Sequence, residues 1–337
     1  MGDNSPVPER VVELVEAESS GEARSALERL GDASAADRSE AIRSLRTLAE
    51  KRPGSTGQLL PAVVPFLTDD ERAVRLATAK LFVAVAESDP DAVVPVVEAL
   101  ADRLADGDEF YYVRARSAEA LGYVALEHPD AVASPELLAD LRVGLEFDEP
   151  EVKEKLAKAI EFVALGDPGR LRHQVPRLAE RLDDDNELVR YHLSTALVAV
   201  GCSYPDRLTD AVDEFGSRLG DSNSFVRGRA AEALGLLGEA DPDASLPTDR
   251  LADLTGDEER FVAERASFGV AVRCGGDDHS GESPDGTAIG SLGAVRETTA
   301  VAIEELTTPD VDGECPHCGL ELPESGPPMC PRCGAPR

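Results

Sequence analysis

No tryptophan occurs among the 337 residues, methionine appears twice, and aromatic residues make up 4% of the chain. That argues against a ligand pocket walled by aromatic rings. Lysine is almost as scarce, with only Lys51, Lys80, Lys153, Lys155 and Lys158. The 34 basic residues face 66 acidic ones, a formal net charge of −32 spread along the whole chain. A general nucleic-acid binder would show a basic footprint for phosphates, and this balance argues against one. No apolar run approaches the roughly 20 residues of a membrane-spanning helix. Met1 to Glu9 is polar and lacks the basic-then-apolar order of a signal peptide. Catalytic signatures are missing too: there is no G-x-x-x-x-G-K-[ST], no H-E-x-x-H and no G-x-S-x-G. The five histidines are His128, His173, His192, His279 and His317, and none is followed by Glu. What is present is a chain 42% apolar, with those residues placed periodically, which disordered chains do not show.

So much negative charge repels itself at low ionic strength, and at molar salt, where the Debye length is about 3 Å, the repulsion is largely screened. Abundant acid with little lysine resembles the proteins of salt-in halophilic archaea. If acidity is adaptation to the solvent, net charge says little about partners. Four of the six cysteines sit in two C-x-x-C pairs. That arrangement suits a metal in a reducing cytosol better than a disulfide framework, so a cytoplasmic protein is expected.

One string recurs along the chain. It begins with Val and a basic residue, has a small residue five places after the Val, another at seven in all but the Val74 copy, where Leu81 stands, and an apolar residue at eight. It reads VRLATAKLF from Val74, VRARSAEAL from Val113, VKEKLAKAI from Val152, VRYHLSTAL from Val189 and VRGRAAEAL from Val226, with a degraded copy from Val262. The spacings are 39, 39, 37, 37 and 36 residues, and Arg38 to Leu45 is a degenerate earlier copy. Offsets 0, 4, 7, 8 and 11 from the Val form one apolar helix face, as in Val226, Ala230, Ala233, Leu234 and Leu237. Each copy therefore predicts the second helix of a pair. A first amphipathic helix is expected over Gln58–Leu67, Asp91–Leu104, Pro135–Leu145, Leu171–Leu182 and Arg207–Leu219. Polar turns such as TDDER, ADGDEF and GDSNS join the two.

In the turns, Asp69, Asp108, Asp184 and Asp221 each precede Arg75, Arg114, Arg190 and Arg227 by six residues. Such an Asp can cap the second helix, and the Arg can pair with an Asp of its own or an adjacent repeat as one rung of a ladder. With these residues the chain resembles HEAT repeats over about residues 20–273. Repeat four departs from the pattern, with Lys153 and Asp148, so the ladder is expected to loosen there. Repeat seven has Asp257 but Ala263, as an end repeat would. The resemblance implies an all-α superhelix, a HEAT-like solenoid of about seven helix pairs over residues 9–273, whose default role is binding a protein on a concave surface lined by the second helices.

Residues 274–288 include GGDDHSGESPDG, a linker composition, and 289–307 predict a capping helix with Leu292, Val295, Thr299, Ile303 and Leu306 on one side. CPHCG and CPRCG follow, with Cys315, Cys318, Cys330 and Cys333 as the four candidate metal ligands. Each is a tight turn aiming two thiolates at one ion, and four thiolates suit one structural Zn2+ with no open position. Residues 313–335 resemble a zinc ribbon, folded by its metal. Cys202 and Cys274 read as packed small residues. The Asp183-Asp184-Asp185 run reads as a solvated turn.

Three places after each repeat Val stand Ala77, Arg116, Lys155, His192, Arg229 and Arg265, a row enriched in basic residues in an acidic chain. Local pairing, such as Arg116 with Glu119 and Arg229 with Glu232, explains it in one way. The other explanation is a stripe binding an acidic segment of another protein. The whole points to a non-enzymatic protein-binding scaffold or adaptor, with the zinc ribbon as a second interaction module. The alternatives are a bilin-lyase-like HEAT-repeat enzyme and a nucleic-acid-associated factor acting through the ribbon, which carries only Arg332 and Arg337 as basic residues.

Overall fold

The computed structural model describes residues 7–17, 19–132, 134–273 and 288–307. The proposed ribbon with its four cysteines, Cys274 and nearly all of the 274–288 linker lie outside these. The chain divides into two compact units, residues 1–146 and 147–337, and the division falls inside the fourth repeat. Among the described residues there is no β-strand.

The first unit opens with α1 (Val7–Glu16) and the pair α2 (Ser20–Leu30) and α3 (Ala35–Lys51). There follow α4 (Leu60–Val63), α5 (Arg72–Ser88), α6 (Pro90–Val93), α7 (Val97–Ala105), α8 (Tyr111–Glu127) and α9 (Pro135–Gly144). The second unit holds α10 (Pro150–Gly166), α11 (Val175–Ala179), α12 (Glu187–Ser203), α13 (Val212–Arg218), α14 (Ser224–Ala240), α15 (Thr248–Leu254), α16 (Arg260–Arg273) and α17 (Leu292–Thr307).

The second helices follow the sequence expectation closely. α3, α5, α8, α10, α12 and α14 each run for 17 residues. The repeat valines of α5, α8, α10, α12, α14 and α16, from Val74 to Val262, are at most 1% exposed, which marks this position as the centre of each buried stripe. In the first unit α3 packs on α5 and α5 on α8; in the second, α10 packs on α12, α12 on α14 and α14 on α16. Each helix thus buries its face against its neighbours in the stack, as repeat proteins do.

The first helices differ from expectation. Where continuous helices were expected over Gln58–Leu67 and Asp91–Leu104, 3-10 turns at Gly57–Leu59, Val64–Thr68 and Val94–Val96 break the path. The cause is proline. Pro61, Pro65, Pro90 and Pro95 lack the N–H that an α-helix interior requires, and the chain re-enters helix at each one as a new first turn. Pro168, Pro176 and Pro205 do the same in the second unit.

Close approach depends on glycines that the periodic pattern did not single out. A Cβ on Gly228 would lie 2.3 Å from the Phe261 ring, and one on Gly235 would lie 2.6 Å from Phe268. These two positions let α14 and α16 pack tightly.

Candidate interaction surface

The turn residues assemble into a ladder, although not quite as the spacing implied. Arg38, Arg75, Lys153, Arg190 and Arg227 each reach forward to an acid in the turn of the next repeat, whereas Arg114 donates from Nε to the Leu104 carbonyl. Arg38 meets Asp69 at 2.6 Å, Lys153 meets Asp184 at 2.5 Å, Arg190 meets Asp221 at 2.8 Å and Arg227 meets Asp257 at 3.2 Å. A further guanidinium nitrogen of Arg75, Arg190 and Arg227 donates back to the backbone carbonyl of Asp69, Asp184 and Asp221 in its own turn. One side chain therefore ties two successive turns together.

The acids do not cap the helix amides directly. Asp69, Asp184, Asp221 and Asp257 accept from the backbone N–H of Glu71, Asn186, Asn223 and Glu259, two residues on. In α12 and α14 the helix amides are taken instead by Asn186 and Asn223. Burial disfavours the charge of Asp69, Asp221 and Asp257, but hydrogen bonds from Arg38, Arg190, Arg227 and those N–H groups outweigh it, so all three carboxyls stay below their ordinary range. Two corrections follow. Asp108 is exposed and is not the rung; its N–H donates to Asp106, and the longer side chain of Glu109 takes Arg75 at 2.8 Å. The expected loosening at repeat four does not extend to the forward rung, because Lys153 reaches Asp184. Asp184 of the triple-Asp run is therefore an ion-pair partner.

Of the basic row, His192, Arg229 and Arg265 are only 2, 0 and 3% exposed, so they do not form the solvent-facing stripe considered from sequence. Arg116 pairs with Glu119 at 2.6 Å and Lys155 with Glu154 at 2.9 Å, and both cations are half-buried. His192 Nδ1 lies 2.5 Å from Glu161 of α10. Glu232 is shared by Arg229 at 2.8 Å and by Arg265 of α16 at 2.9 Å. The Arg265 guanidinium stacks 3.5 Å above the Phe261 ring centroid. Burial disfavours the Glu232 charge, but Arg265 and Arg229 override it and hold its carboxyl low. Local pairing is thus the structural reason for much of the row.

A second cause of this burial is α17, which sequence placed as a cap on the end of the stack. It lies instead against the second-helix face of α12 and α14. Arg229 donates to the Val295 carbonyl at 3.3 Å and to Thr298 Oγ1 at 2.9 Å. Tyr191, Val226 and Ala302 form a small core, with Phe225 and Ile303 packed on it. Arg296 donates to the Leu165 carbonyl at the end of α10. The face expected from sequence is the one used: Val295 and Thr299 are buried, and Leu292 and Ile303 are half-buried.

Cys202 is a free thiol, and burial, with Glu232 nearby, pushes it up to about 12, which leaves little reactive thiolate. Among the described residues no cluster of His, Cys, Asp and Glu could hold a metal, and no helix is long and apolar enough to cross a membrane.

Solved structures with a similar fold include engineered proteins and designed armadillo repeat proteins. One engineered protein, 18% identical, matches over 91% of this chain and 85% of its own, with a TM-score of 0.61. A second, 20% identical, matches over 64% of this chain and 99% of its own, with a TM-score of 0.56. A designed armadillo repeat protein in complex with the peptide (KR)4, 18% identical, matches over 64% of this chain and 99% of its own, with a TM-score of 0.53. At such identities these likenesses concern fold alone. No curated protein matches the chain. The family model for HEAT repeats matches residues 97–197 and 175–268, together just over half of the sequence. With its paired helices, its 36–39-residue period and its forward ladder, the chain belongs to the HEAT-repeat family.

Proposed function

We propose that this HEAT-repeat protein is a non-enzymatic scaffold that binds another protein on its second-helix face. The observation that supports this most directly is α17. That face of the second unit already receives a helix, with its apolar side down and its backbone carbonyl on a buried arginine. A designed armadillo repeat protein of related fold, solved in complex with the peptide (KR)4, supports a peptide- or protein-binding role. In the first unit the corresponding face carries a groove of about 630 Å³ between α3 and α5, lined by Ser39, Arg43, Ser44 and Thr47. On this reading residues 313–335 form a ribbon folded by one structural Zn2+ on Cys315, Cys318, Cys330 and Cys333, a second module for contacts in a reducing cytoplasm.

The test is site-specific photocrosslinking in cells or extract at molar KCl. A photoreactive residue at Thr47, on the second-helix face, should yield a discrete protein adduct. The same residue at Val143, an exposed site on the first helix α9, should not. Adducts from Val143 alone would move the binding surface to the first helices.

A further inference from the structure

We propose that α17 is a displaceable internal ligand of the groove between α12 and α14, and that the partner replacing it is a helix with an acidic residue set against Arg229. This deepens the protein-binding reading and rests on it.

The seat of α17 is well defined. Gly290, just ahead of it, lies against Leu236 and Phe268. Val295 meets Arg229, and Ile303 meets the cluster of Phe225 and Val226. The order along α14 is reversed, so α17 runs antiparallel to it. The match is nevertheless incomplete. Arg229 and Arg265 share a single carboxylate, Glu232, which leaves one guanidinium charge in surplus in a buried place. α17 meets that surplus with neutral oxygens: the Val295 carbonyl and the hydroxyls of Thr298 and Thr299. Beneath it, Arg229 Nε, Tyr191 Oη and Thr195 Oγ1 are buried without a well-formed hydrogen bond among the described residues, although Tyr191 lies close enough to Arg229, Thr195 and Thr299 to interact with them.

A permanent helix interface satisfies most of its buried polar atoms. A face whose proper occupant is more polar than the resident one does not. A carboxylate at the position of Thr298 would form a charge-assisted bond with Arg229 and could also accept from its Nε. The imperfect resident helix is held because it is part of the same chain. A tethered segment competes at high effective concentration and needs few good contacts, whereas a partner in trans needs better ones. Arg265 is held below the ordinary arginine range by burial and by the charge of Arg229, despite Glu232 and Glu264, whereas Arg229 is held above it by Glu232 and Tyr191 in spite of its burial.

The experiment uses the full chain at molar KCl and three fluorescent peptides with the sequence of residues 288–307: unchanged, Thr298→Asp and Thr298→Lys. Thr and Asp have similar helix propensities, so the comparison isolates the charge. The Thr298→Asp peptide should bind about tenfold more tightly than the unchanged one, and the Thr298→Lys peptide more weakly than either. Long-range attraction to a chain of net charge −32 would favour the lysine peptide, so this order reports local pairing. Hydrogen exchange should show the chain's own 292–307 amides losing protection when the Asp peptide binds, while α14 keeps its protection. Thr298→Asp placed in the chain itself should lower the affinity for that peptide about tenfold.

No binding by any peptide, equal binding by all three, or 292–307 amides as protected as those of α14 with peptide present would each make α17 a fixed part of the fold. None of these results touches the protein-binding reading, which the Thr47 crosslink tests in the other unit.

Discussion

Arg190 grips Asp221 with two hydrogen bonds, 2.8 Å from Nε and 2.9 Å from Nη2, while its Nη1 donates at 2.8 Å to the carbonyl of Asp184. One guanidinium thereby fixes the spacing of two successive turns. Lysine offers a point charge without the fork, which is why the Lys153 rung at Asp184 is a single contact. The ladder thus turns a 37-residue sequence period into a repeating structural contact.

Arg190→Met should be strongly destabilising, by about 3 kcal/mol, because it leaves the buried Asp221 short of its main partner. Arg190→Lys should cost less, since a single contact like that of Lys153 remains. Urea unfolding at molar KCl reads both, and equal losses would contradict the importance of the fork.

Acid should loosen the ladder. Asp69, Asp221 and Asp257 have folded-state affinities for protons below those of the unfolded chain. Their contribution is fully present above the ordinary carboxyl range near about pH 4 and is lost as pH falls through the lower folded values. The thermal midpoint should be flat from neutral pH to about 5 and then fall. Asp221→Asn should begin less stable and show a shallower fall.

Gly228→Ala should destabilise by about 1–3 kcal/mol, because the added methyl group runs into the Phe261 ring. Phe261→Leu in the same chain should recover part of the loss. A neutral Gly228→Ala would mean that α14 and α16 can separate without cost.

Net charge of −32 with five lysines leads to an expected dependence on salt. Helical circular dichroism should fall when KCl is lowered from molar to about 0.1 M, where the Debye length is about 10 Å. An unchanged thermal midpoint across that range would refute salt adaptation.

Elemental analysis of freshly reduced protein should find one zinc per chain. Cys330→Ser should release it while leaving the helical signal of the repeats nearly intact, since the repeats bury their own core. Protein free of zinc and iron would remove the ribbon from the proposal.

The repeat architecture was legible in the chain itself. A Val that recurs at 36–39 residues, with small residues at fixed offsets, can only bury its face by stacking on its neighbours, and local periodicity encodes that directly. The turn acids and the following arginines were legible for the same reason, being set by spacing within one repeat. Which acid each arginine takes was not. Glu109 supplants Asp108 because of the course of one turn, and Lys153 reaches forward although its own turn departs from the pattern.

The fate of the basic row lay still further from sequence. Offsets alone place Arg229 at the edge of a buried face, where it could meet solvent, a partner or a neighbour. Its burial was decided by Glu232 one turn away, by Phe261 and Arg265 on the next repeat, and by a helix more than sixty residues downstream. The sequence determined the helices and the face each would bury, because those follow from periods of a few residues. The tertiary structure decided what covers the remaining face of α12 and α14, because α17 reaches α14 through contacts between residues 66 to 70 positions apart and α12 through contacts, such as Tyr191 with Ala302, that lie farther apart still, and no local period records them.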